Sequence, residues 1–430
     1  MLTNFSTLDR KRTGEETDMK VILILPFPSL VTGRDFKVDV FADGFHTRIA
    51  QQIWKRTQKY QLECWRTERK LKRAITAEKD GIVYRAFPSF RPTLGPLDMH
   101  IWKAALATLP YSRRIVSDAY SLPMLKELKK QCQDEEVLIQ INASFAPMTY
   151  LICLSCQNVP IVFAHTAGPP QTYSALTFIS RMPFSFIERK AISYTDKILV
   201  QSKWIYDRLS KLFPNVTLCC PWGVDFEQFK PIDKRKARNI LGIPQSKKVL
   251  LYVGHLDSIK GVDLILKVYK ELKTEYDVEL LLVGAQKTDP LYHKAIEAGA
   301  IVREWVSQSE LIPYYSAADV FLLPKFYSRR EVGSLEEFMS IAVAQIESMA
   351  CGTPVVGTNL NHFLGSENEL KEVGKIPANP GDVAQCVAEI LEHPNLYQNC
   401  REIAQKYYGW DGIVKCLVDI YDELFQKYYK

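Results

Sequence analysis

The sequence predicts an α/β protein built as two doubly wound, Rossmann-like domains with parallel sheets and a cleft between them. Three observations lead there. Short, continuously apolar runs recur along the chain and alternate with amphipathic helical stretches. Runs of that kind suit parallel strands covered on both faces, and the alternation is that of βα units. The pattern restarts after "PWGVDFEQFKPIDKRKARNILGIPQSKK" (221–248), a segment rich in Pro, Gly and charge. A chain of 430 residues is also too long for one ordinary core, and two domains of roughly 200 residues are the natural division. Ligands of such sheets bind beyond the carboxyl ends of the strands.

The elements follow in order. The stretch "MLTNFSTLDRKRTGEETD" (1–18) is polar and lacks the apolar centre of a signal peptide, so it reads as a disordered lead with Met19 as an alternative start. The first domain is expected over 19–220, with strands "KVILIL" (20–25), "VLIQI" (137–141), "IVFA" (161–164) and "KILVQ" (197–201). The second is expected over 221–409, with strands "KVLLYVG" (248–254), "VELLLVG" (278–284), "VFLLP" (320–324) and "PVVG" (354–357). Between the first two of these, "VDLILKVYKELK" places Leu264, Ile265, Val268, Tyr269 and Leu272 on one helical face. The stretch 410–430 is a final amphipathic helix, with Ile413, Cys416, Leu417, Ile420, Tyr421 and Leu424 at helical spacing.

Composition narrows the class. Hydrophobic residues at 47% and charged residues at 24% describe a globular chain. A net charge of +6 is compatible with an anionic ligand or membrane surface and does not call for nucleic acid, so no nucleic-acid partner is expected. No apolar run approaches the ~20 residues that span a bilayer. Ten cysteines are scattered in apolar contexts and read as reduced core residues of a cytoplasmic protein. Cys153 and Cys156 form a CxxC inside the helix-like "MTYLICLSC", without a second pair at zinc spacing. His46, His100, His293, His362 and His393 show no ligand spacing either. No metal is expected.

Two stretches carry chemistry. In "YVGHLDSIKGVDLIL" (252–266) a strand exits through Gly254, and Lys260 and Gly261 stand at the mouth of the next helix. Free N–H groups and the positive dipole end favour a phosphate there, and a lysine adds a point charge. The plainer alternative is a solvated lysine at a βα turn. In "FMSIAVAQIESMACGTPVVGT" (338–358) a carboxylate, Glu347, interrupts an apolar helix expected from about Ser340 to Cys351, with Gly352 as its stop. A buried carboxylate needs hydrogen-bond donors. Sugar hydroxyls meet that need, and so does an ion pair with a nearby Lys or Arg.

These stretches, with "ELIPYYSAADVFLLP" (310–324), resemble the C-terminal half of the family 4 glycosyltransferases, retaining enzymes of GT-B fold. "PWGVDFEQF" (221–229) is similar to the family's junction segment, usually P-N-G-V-D-x-x-x-F. The first half matches more loosely through "DGFHTRIAQQI" (43–53), "VPIVFAHTAG" (159–168) and "TDKILVQSKW" (195–204). The resemblance implies transfer of a sugar from a nucleotide-diphosphate donor to a saccharide or lipid-linked acceptor, with net retention and without a metal or other cofactor. It implies that Lys260 holds the donor phosphates, that Glu347 holds the ribose as the second glutamate of E-x7-E, and that Gly254, His255 and Gly261 line the donor site. It also puts His165 near the transferred sugar, Gly44 in the glycine loop that lets the backbone approach the donor, and Trp305 and Val306, after "AIVRE" (300–304), beside the nucleobase, with a core tryptophan as the plainer alternative for Trp305. In GT-B folds the terminal helix crosses back to the first domain, and 410–430 is expected to do so.

Two departures bear on activity. His255 stands where the family usually has arginine, and a neutral imidazole is a weaker phosphate partner. Met339 stands where the first glutamate of E-x7-E belongs, and Glu336 and Glu337 come two or three residues early. Either the loop brings Glu337 to the sugar as the substitute, or the site has lost a group that positions the donor hexose. Arg329 and Arg330, in the long loop "KFYSRREVGSLEEF" (325–338), are either replacements for the missing arginine or a solvated pair. The basic, aromatic stretch 54–75 reads as a solvated helix, a strand and a charged loop, or as a face for anionic lipid, which would make the protein peripheral at a membrane. "LTFISRMPFSFIERKAI" (176–192) reads either as a membrane-facing or acceptor-lining segment or as core packing. Two rival functions remain beside the transferase: a GT-B binding or scaffold protein without turnover, and another GT-B enzyme such as a sugar-nucleotide epimerase or phosphorylase.

Overall fold

A computed structural model of the chain describes residues 19–25, 47–68, 71–90, 120–143, 147–165, 190–220, 222–326 and 341–430. The lead 1–18, Gly44, Glu336, Glu337, Met339 and the arginine pair of the 325–338 loop lie outside these, as does most of 176–192.

The first domain runs β1 (Lys20–Leu25), α1 (Arg48–Arg56), β2 (Gln61–Glu68), β3 (Ile75–Lys79), β4 (Ile82–Pro88), α2 (Leu122–Asp134), β5 (Val137–Ala143), α3 (Pro147–Ser155), β6 (Ile161–His165), β7 (Lys197–Val200), α4 (Lys203–Leu209) and β8 (Val216–Leu218). Its sheet has the order β3-β4-β2-β1-β5-β6-β7-β8, parallel except for β3 against β4. The second runs α5 (Lys234–Leu241), β9 (Lys248–Val253), α6 (Val262–Leu272), β10 (Val278–Ala285), α7 (Tyr292–Glu297), β11 (Ile301–Glu304), α8 (Gln308–Ala317), β12 (Val320–Leu323), α9 (Val343–Ala350), β13 (Val355–Gly357), α10 (Glu367–Val373), β14 (Gly374–Lys375), α11 (Val383–Glu392) and α12 (Cys400–Tyr408). Its sheet, β11-β10-β9-β12-β13-β14, is parallel throughout. The chain closes with α13 (Trp410–Tyr429).

Each apolar run named from the sequence forms a strand, because each is buried on both faces; Val249 to Leu251 and Val320 to Leu322 are wholly inaccessible. β3 and β4 differ. β3 alternates half-buried and exposed residues at the sheet edge, and Asp80 and Gly81 turn the hairpin with φ of 53° and 76°. β2 is an interior strand with Cys64 and Trp65 buried, which confines any lipid-facing role of 54–75 to the helix and loop around it. The cysteines are all free; seven of the ten are buried and Cys132, Cys386 and Cys416 are half-buried. None of the described helices is long and apolar enough to cross a membrane.

Among the described residues the two halves are joined at several places. Trp222, Val224, Phe226 and Phe229 of the linking segment are buried, Val224 N–H donates to Tyr408 O at 3.0 Å, and Arg401 on α12 donates to the carbonyls of Phe226 and Phe229 at 2.7 Å each. α13 packs on α1 and β5 of the first domain. It is tied there by Lys59 to Asp422, Lys197 to Glu423 and Lys427 to Asp196 at 2.6, 3.0 and 2.8 Å. Tyr429 Oη donates to Val137 O at 2.9 Å, and Tyr421 donates to Gln140. Finally, Arg48 on α1 donates to Gln308 on α8.

Candidate active site

The strand order of the second sheet reverses at β9, which has β10 on one side and β12 on the other. The glycines of the first motif sit at this switch. Gly254 leaves β9 with φ 145°, and a Cβ there would stand 2.9 Å from Tyr252 Oη, which donates to His255 O at 2.8 Å. The chain then makes a short 3₁₀ turn, Ser258–Lys260, capped by Asp257, whose carboxylate accepts from Lys260 N–H at 2.7 Å. Gly261 opens α6 with φ 78°, and a Cβ there would lie 2.3 Å from Pro324 O at the end of β12. Only glycine lets the β9–α6 turn close against β12 in this way. The half-buried Lys260 therefore stands beside the first turn of α6, whose amides have no intrahelical partner.

His255 turns toward the neighbouring loop. Its imidazole Nδ1 lies 3.4 Å from Asp289 Oδ1 after β10, while Asp289 Oδ2 accepts from the N–H groups of Leu256 (2.9 Å) and Gln286 (2.8 Å). The histidine that replaces the expected arginine is thus held by a carboxylate that already ties two loops together.

Glu347 is buried, with 4% of its surface exposed. Its hydrogen-bond partners are neutral: Tyr315 Oη donates to Oε2 at 2.8 Å and Gln308 Nε2 to Oε1 at 3.3 Å. Among the described residues a phenol and an amide stand where the ion pair was the alternative. Burial pushes the carboxyl up to about 7, against the pull of the Tyr315 hydrogen bond and the Arg48 charge. The helix that carries it begins at Val343, three residues later than its sequence suggested, with Ala342 as N-cap. Gln345 supplies the cap, its Oε1 accepting from Ala342 N–H at 2.9 Å, and its buried Nε2 has no hydrogen-bond partner among the described residues. That free donor packs against Gly357, where a Cβ would lie 2.7 Å away.

Trp305 and Val306 follow β11 and lead into α8, where Ser307 and Glu310 form a capping box. Trp305 is 78% exposed, a large indole without cover. One residue beyond the capping Ser307, Gln308 touches Glu347, so the expected nucleobase and ribose positions adjoin. From the first domain, the His165 backbone ends β6 in register with Ala143. Trp204 faces His362 edge-on at 6.3 Å between ring centres, and burial lowers that histidine to about 4, leaving it neutral near pH 7. The structure thus brings Gly254, His255, Lys260 and Gly261 together at one switch point, and Trp305, Val306 and Glu347 around Gln308. Gln308, Tyr315, Asp289 and Arg48 were missed, although Tyr315 and Arg48 lie inside stretches quoted for the resemblance. Among the described residues no group of His, Cys, Asp and Glu is arranged to hold a metal ion.

Two parallel, doubly wound sheets with a returning terminal helix define the GT-B glycosyltransferase fold. Solved structures share it: sucrose-phosphate synthase of Thermosynechococcus elongatus, with a TM-score of 0.63 and 18% identity over 95% of this chain and 100% of that one; and Anabaena HepE in complex with UDP, with a TM-score of 0.62 and 14% identity over 94% and 100%. Residues 233–407 match the family model described as "Glycosyl transferases group 1". The chain is similar to D-inositol 3-phosphate glycosyltransferase 2 of Catenulispora acidiphila, 27% identical over 257 residues, 54% of this chain and 57% of that protein. It is also similar to D-inositol 3-phosphate glycosyltransferase of Saccharomonospora viridis, 26% identical over 292 residues, 62% and 65% of the two chains. It spans less than two thirds of the length of these curated relatives.

Proposed function

We propose that the chain is a retaining family 4 glycosyltransferase that moves a sugar from a nucleotide-diphosphate donor to a hydroxyl acceptor without a metal. The observation that carries the reading is Glu347: a buried carboxylate with two neutral donors, one of them Gln308, three residues beyond the exposed Trp305. A carboxyl held that way has acceptor capacity left for a ribose diol. The diphosphate would then lie at the mouth of α6, where Lys260 would donate. Fixed donors of this kind stabilise the charge that develops on a leaving diphosphate. His165 and Glu337 are proposed at the transferred sugar, with Glu337 acting on turnover rather than on nucleotide affinity. Gly44 is proposed to let the backbone approach the donor.

The donor of first choice is a uridine diphosphate sugar, since HepE is a complex with UDP. Phosphorylated polyols, after the named acceptor of the curated relatives, open the acceptor screen. The test is calorimetry with uridine, guanosine and adenosine diphosphate sugars, followed by product analysis with and without acceptor. Binding followed by transfer with retained configuration is expected. Absence of binding to all three classes sinks the reading. The second reading, a binding protein without turnover, is favoured by the engagement of His255 with Asp289. It gains if a donor binds yet no sugar reaches any acceptor or water.

A further inference from the structure

The buried carboxylate is connected to the other domain. Arg48, half-buried on α1, donates through its guanidinium to Gln308 Oε1 at the first position of α8. The same amide passes the contact on, its Nε2 donating to Glu347 Oε1 at 3.3 Å, while Tyr315 occupies Oε2 at 2.8 Å. A carboxylate has about four lone-pair sites, and these two donors leave two open, the number a vicinal diol requires. An amide whose oxygen accepts from a cation is also a stronger donor at its nitrogen.

We propose that Arg48 is a positioning residue of the nucleotide site: acting through Gln308, it holds Glu347 as an oriented anion, so that a ribose diol binds at full strength only when the first domain is in place. The inference rests on the reading of Glu347 as the ribose acceptor. The groups facing Glu347 leave this role to Arg48. On α8, Tyr315 is held as a phenol by burial. At the end of α9, Cys351 is a buried thiol pushed up to about 12. From α12, Arg401 is committed to the carbonyls of Phe226, Phe229 and Ala350. β12 and β13 bring apolar side chains and Gly357. Arg48 is the cation whose charge favours ionised Glu347 among the described residues.

The test is calorimetry on the full chain at pH 6 and pH 8, with uridine, guanosine and adenosine diphosphates and their 2′,3′-dideoxy analogues. Arg48→Ala should weaken the ribonucleotide that the parent binds by roughly fivefold or more at pH 6 and by less at pH 8, with little loss for the dideoxy analogue. Gln308→Leu cuts the same relay from the other side, should give the same pattern, and carries the comparison if Arg48→Ala does not fold. Equal losses for ribo- and dideoxynucleotide, or losses independent of pH, overturn the proposal. If the parent binds none of the nucleotides, it is the ribose reading that falls. The relay is then judged on urea midpoints against pH without ligand. A decline that ends near pH 7 in the parent and continues higher in Arg48→Ala supports the relay, and superimposable profiles refute it.

Discussion

A carboxyl whose folded value lies above its unfolded one makes stability fall with rising pH, and Glu347 is such a group. Below about 4.5 it carries its proton in both states; from there to about 7 the unfolded chain ionises while the folded one keeps the proton; above 7 the two agree again. Over that window the parent should lose up to about 3 kcal/mol that Glu347→Gln does not lose. Urea midpoints from pH 4.5 to 8 would show it, and equal slopes in parent and variant would falsify the burial of the free acid. The same substitution should weaken donor binding at pH 8, where the parent is ionised. Lys260→Ala should remove most nucleoside diphosphate affinity and leave the urea midpoint in place; unchanged affinity by calorimetry would take Lys260 out of the site. At this scale the sequence revealed Glu347 because a charge in an apolar helix stands out. Its partners were not legible, since Tyr315, Gln308 and Arg48 reach it through the way α8 and α1 lie against α9, which no local period encodes.

Among the elements, the strands buried on both faces were readable as unbroken apolar runs. The β3–β4 hairpin was passed over because an edge strand shows polar alternation, and its signal was the Asp80–Gly81 turn. The switch-point turn allows a sharper test. Gly261 and Gly242 have similar φ values, 78° and 69°, but a Cβ on Gly261 meets Pro324 O at 2.3 Å while one on Gly242 meets nothing within 4 Å. Gly242→Ala should therefore cost only its backbone strain, ~1 kcal/mol. Gly261→Ala should cost ~2–3 kcal/mol or more and also reduce donor affinity, because β9–α6 must move off β12. Calorimetric melts that rank the two equally would contradict the close packing at Pro324.

For the whole molecule, the order of the two α/β halves was legible from the restart of the alternation. What the sequence alone did not show is how firmly α13 is built into the first domain. Its Leu417 is wholly inaccessible, and Val414, Tyr421, Leu424 and Phe425 are buried with it. α13 touches α1 and β5 on one side and follows α12 on the other, so the two halves should melt as one unit. Leu417→Ala should cost about 2–5 kcal/mol and separate the transition into two. Differential scanning calorimetry decides it: two transitions already in the parent, or one unsplit transition in the variant, would show that α13 does not couple the halves.

The return of α13 also orders events during synthesis. β5 ends at Ala143, and the helix that packs on it begins at Trp410. At ~5–20 residues per second, the ribosome needs some tens of seconds to deliver that helix. Throughout that interval the strand's flank is bare in the nascent chain, while the second domain, contiguous up to α12, can close on its own contacts. The half made first would then be the half finished last, and a chaperone that binds apolar surface would find its target on α1 and β5 until α13 emerges.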